Sequence, residues 1–154
     1  MAVVVILAVV AAMAVPLLGD TNNTQLRQAA NLLTADLGYA QVESIAHGQD
    51  LRLVVFDTVN HNYFIAATSA PTVPLTNPTD RKPYRVTFGS GRADALSAVR
   101  IQAVSVGGDN RLGFGVYGQL DQPAAATVTL AAGGRTLTLT IDPVSGEVTI
   151  GTIN

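Results

Sequence analysis

Residues 1–18 read MAVVVILAVVAAMAVPLL, a run with no charged side chain, and its reading decides the architecture. Its length is just inside the lower limit for a membrane-spanning helix, roughly 17 to 25 residues. Ten of its residues are Val, Ile or Leu. At about −0.3 to −0.6 kcal/mol each near a bilayer centre, they supply on the order of −3 to −6 kcal/mol toward insertion. Pro16 lacks a backbone N–H and is expected to loosen the helix near its exit from lipid. Two other readings compete. Ala12-Met13-Ala14 has the small-x-small look of a cleaved secretory signal. A buried core helix is the third reading, but β-branched valines make a mediocre soluble helix. A retained anchor is favoured, with Val4, Ile6, Leu7, Val10, Met13, Val15, Pro16 and Leu17 as its packing residues in the membrane. No Lys or Arg precedes the run, so the natural chain is expected to begin upstream of Met1.

Working outward, Gly19-Asp20-Thr21-Asn22-Asn23-Thr24 reads as a polar break. A second helix is expected from about Thr24 to His47, with Leu26, Ala30, Leu33, Leu37, Ala40 and Ile45 as the stripe that packs on a sheet. Arg27, Gln28, Asp36, Gln41 and Glu43 fall mainly on the other side, and Gly48 supplies a C-terminal stop. From Leu51 the period changes to two. Leu51–Phe56, Tyr63–Ala67, Tyr84–Phe88, Ala98–Val106 and Leu112–Tyr117 are strand candidates. Ser69–Pro83, with four prolines, reads as an exposed loop. The C-terminal third alternates threonine with apolar residues through Val128, Leu130, Leu137, Leu139, Ile141, Val148 and Ile150. That pattern marks a half-solvated antiparallel meander, with turns at Gly133-Gly134 and Asp142–Gly146. The organisation is therefore residues 1–19 as a transmembrane helix segment, 20–48 as an amphipathic helix, and 49–154 as an antiparallel β domain. The fold class is α+β.

Composition narrows function mainly by exclusion. A length of 154 residues suits one such domain, and charged residues are only 13%. A net charge of −2 gives no long-range attraction to nucleic acid or anionic lipid. The absence of cysteine removes disulfides, zinc–thiolate sites and thiol catalysis together. His47 and His61 are the only histidines and lack the spacing of a metal pair. Ser44, His47 and Asp50 can be drawn as a catalytic triple, but helical spacing explains them better. Gly89-Ser90-Gly91-Arg92 lacks the third glycine and the strand-to-helix context of a phosphate loop. No enzyme activity and no cofactor are expected.

The order of these pieces resembles a type IV pilin-like protein, specifically the GspH/FimT group of minor pseudopilins. The apolar run ending in Ala14-Val15-Pro16 is similar to the group's filament helix. Ala35-Asp36-Leu37-Gly38-Tyr39-Ala40-Gln41-Val42-Glu43-Ser44-Ile45-Ala46-His47-Gly48 resembles the end of its amphipathic helix. Leu51–Phe56 resembles its first strand, Leu112–Gly118 its phenylalanine-to-glycine turn, and Asp142–Val148 its terminal hairpin. By register with Pro16, the group's leader glycine and early glutamate would lie upstream of Met1. The resemblance implies a long helix packed on antiparallel sheet, in a structural subunit of a type II secretion pseudopilus or a type IV pilus. It also implies a single pass of the bacterial inner membrane with the β domain in the periplasm. The implied partners are other pilin-like subunits and, given a leader, a prepilin peptidase, with methylation after processing. A secreted binding domain and a DNA-uptake pilin are the competing roles. For the latter, Arg81, Lys82, Arg85 and Arg92 are the candidate anion or DNA contacts, although the uncharged tail Gly151–Asn154 disfavours it. Tyr39, Tyr63, Tyr84 and Tyr117 read as packing residues.

Overall fold

Leu26, Ala30, Leu33, Leu37 and Ala40 recur at intervals of three or four, which lays one apolar stripe along helix α1 (Ala2–His47). All five are fully buried, together with Ala29. In this computed structural model the backbone of residues 2–154 and the side chains of residues 21–154 are described. The proposed filament-packing residues Val4, Ile6, Leu7, Val10, Met13, Val15, Pro16 and Leu17 lie outside the described side chains.

Two antiparallel sheets receive the stripe. The first contains β1 (Arg52–Asp57), β2 (Asn62–Ala67), β3 (Ala70–Pro74), β4 (Arg85–Thr87) and β6 (Arg111–Gly113). Its order is β3-β2-β1-β6, with β4 sharing an edge of β2. The second contains β5 (Arg100–Ser105), β7 (Ala126–Ala132), β8 (Arg135–Ile141) and β9 (Val148–Ile153), in the order β5-β7-β8-β9. A 3₁₀ segment, η1 (Gly91–Leu96), bridges the two halves. Helix α1 touches β1, β7, β8, β9 and η1, so it lies against both sheets. Val54, Tyr63 and Ile65 from one sheet, and Val128, Leu130, Leu137 and Leu139 from the other, close the core beneath it. The alternation of Leu137 and Leu139 with threonine puts the leucines inward and leaves Thr140 exposed. A fully buried side chain of this size contributes about 1.5–3 kcal/mol, so the shared core binds helix and sheets into one body.

Four expectations are corrected. The polar stretch Gly19–Thr24 does not interrupt α1, which is continuous through it. Intrinsic propensity costs are below about 0.7 kcal/mol for Asp, Asn and Thr and about 1 kcal/mol for Gly, and tertiary contacts outweigh them. Asn22 lies against Gly133, and Gln25 Oε1 accepts from the Ala98 N–H at 3.1 Å. Ile45 is 52% exposed, because the stripe continues from Ala40 to the fully buried Ser44, and Ile45 is one step round the helix. Part of the Ser69–Pro83 loop is strand β3, with Pro74 paired to Ala66 and Ala70 to Ala67. An edge strand accepts Pro71 and Pro74 because their missing N–H groups need not face a neighbour. The strand expected over Leu112–Tyr117 ends at Gly113, and the chain turns back so that Leu120 bridges Phe114. Tyr117, expected to pack, is therefore 86% exposed.

Candidate functional site

The attachment of helix α1 to the sheets is built around a buried carboxylate. Asp36, placed by sequence on the polar side, is only 3% exposed because it flanks the stripe between Leu33 and Leu37. Tyr63, from β2, donates its hydroxyl to Asp36 Oδ2 at 2.7 Å. Tyr84, just before β4, donates to Oδ1 at 3.0 Å. The Arg92 guanidinium, from η1, completes the set as an ion pair with Oδ2. Three sheet and loop segments thus converge on one helical side chain, which offers enough acceptor sites for all three.

The aromatic groups reinforce this arrangement. Tyr39 stacks on Tyr84 with centroids 5.1 Å apart, and the Arg92 guanidinium lies 4.8 Å from the Tyr84 ring centroid. Burial, then the Asp36 charge, pushes the Tyr84 hydroxyl up to about 12. The same causes raise Tyr63 well above the ordinary phenol range. Burial alone would lower Arg92, but its hydrogen bond to Asp36 and the charge of Asp36 raise it on balance. Both phenols therefore stay protonated as donors and the guanidinium stays charged, as the carboxylate requires.

The C-terminal end of α1 is tied down separately. Gly48 N–H donates to the Ser44 carbonyl at 3.0 Å, and the backbone N–H of Arg52 donates to Ser44 Oγ at 2.7 Å. Gln41 uses its side-chain amide to hold two loops, donating to the carbonyls of Gly118 at 2.8 Å and Ser145 at 2.7 Å. Asp142 shapes the second of these loops by accepting from the N–H groups of Val144 and Ser145 at 2.9 and 2.8 Å.

The basic group Arg81, Lys82, Arg85 and Arg92 does not form one free patch. Arg92 is committed to Asp36, while Arg85 donates to Asn62 Oδ1 at 2.9 Å and lies 4.5 Å from the Phe64 ring centroid. Arg81 and Lys82 are exposed in a turn closed by Asn77, whose N–H donates to the Lys82 carbonyl. Ser44 is fully buried against the Arg52 backbone, and His47 Nδ1 lies 3.4 Å from Glu43, so the Ser44, His47, Asp50 triple is taken up in structural contacts. Among the described residues no acidic and histidine cluster could hold a metal ion, and no helix is long and apolar enough to cross a membrane. Sequence reasoning missed the Asp36 network. Its only signal was a carboxylate beside the apolar stripe, with no mark of the tyrosines it would meet.

No family model and no curated protein matches the sequence. Solved structures do match the fold. The minor pseudopilin EpsH from the type II secretion system of Vibrio cholerae is 12% identical with a TM-score of 0.59, covering 86% of this chain and 96% of that one. The type IV minor pilin FimU of Pseudomonas aeruginosa is 16% identical with a TM-score of 0.58, covering 86% of this chain and 92% of that one. The chain therefore has the α+β pilin-like fold, with an N-terminal helix on antiparallel sheets.

Proposed function

We propose that this chain is a structural minor pilin or pseudopilin subunit, working in a type II secretion pseudopilus or a type IV pilus. The observation that carries the reading is the pilin-like fold, in which α1 extends back from the packed stripe into the apolar run of residues 1–18. At 1.5 Å per residue, the apolar part of that helix, residues 2–18, is about 26 Å long, close to the thickness of a bilayer's hydrocarbon core. Such a helix holds the subunit in the inner membrane with the β domain in the periplasm. It then leaves lipid for contact with like helices, an exchange in which packing replaces lipid contact. A leader upstream would be removed by a prepilin peptidase, followed by methylation of the new N-terminus. The chain itself performs no chemistry in this role.

The commitment of Arg92 and Arg85 to internal partners favours assembly over DNA uptake. The test is mass spectrometry of membrane fractions from cells producing the full chain, with Val10→Arg as the comparison. A retained apolar run in the membrane fraction, released by Val10→Arg, is expected, since an arginine there costs about 2.5–3.5 kcal/mol of insertion. A soluble product beginning near Val15 would instead support the secreted binding domain.

A further inference from the structure

We draw no further inference here: the strongest candidate, the open edge of the second sheet at β9 (Val148–Ile153), which carries neither a charged residue nor a proline, is an unpartnered strand edge, and nothing in the structure shows what covers it.

Discussion

Asp36 ties helix α1 to three other segments through Tyr63, Tyr84 and Arg92. Removing its carboxylate in Asp36→Ala leaves two buried phenols and a guanidinium without an acceptor. Arg92 is about one-third exposed, so the cost falls somewhat below that of a fully buried broken pair, at about 2–4 kcal/mol. Denaturant unfolding should show that loss, with Asp36→Asn intermediate because its amide oxygen still accepts. The tyrosines add a pH dependence whose sign follows from their raised values. Below pH 10 the Tyr84 phenol is protonated in both folded and unfolded chains and contributes no pH dependence. Between 10 and about 12 only the unfolded chain ionises, so stability falls across that window. Tyr63 shifts in the same direction and steepens the fall. Melting temperatures that stay flat across this window would contradict the buried assignment of both hydroxyls.

At the scale of elements, the packing of α1 predicts a sharp contrast along one helix. Leu33→Ala and Leu37→Ala each open a cavity in the shared core and should cost about 2–5 kcal/mol. Ile45→Ala should cost less than about 0.5 kcal/mol, because half of that side chain already faces water. The turns give a second contrast. Gly48 ends α1 at φ +47° with open space beside it, so Gly48→Ala should cost about 1 kcal/mol of backbone strain alone. Gly146 has φ +69°, and a Cβ there would meet the Gln41 amide and come within 2.5 Å of the Gly118 carbonyl oxygen. Gly146→Ala should therefore cost about 2–4 kcal/mol, adding overpacking to strain. Equal urea midpoints for the two variants would show that the loops are not clasped by Gln41.

For the whole molecule, one core shared by α1 and both sheets implies a single cooperative transition. Tyrosine fluorescence reports the Asp36 network between helix and sheets and far-ultraviolet circular dichroism reports mainly the backbone of α1, so the two should lose signal at the same denaturant concentration. Separate midpoints would mean that the helix and the sheets do not unfold as one unit.

The amino-acid sequence by itself determined the order of parts: an apolar run, an amphipathic stripe, then strands of period two ending in a threonine-faced meander. These are legible because each depends on spacing within one segment, where side-chain direction follows from backbone geometry alone. The stripe from Leu26 to Ala40 and the turns at Gly133-Gly134 and Asp142–Gly146 belong to this class. Only the tertiary structure decided that Asp36 is buried, that α1 runs on through Asn22 and Asn23, that Pro71 and Pro74 sit in an edge strand, and that Tyr117 faces solvent. The first two turn on residues far apart in the chain, and the last two on the pairings of Ala66 with Pro74 and of Phe114 with Leu120, which periodicity within one segment does not show. Tyr63, Tyr84 and Arg92 lie 27, 48 and 56 positions from the carboxylate they share, a distance over which no local pattern of hydrophobicity carries information.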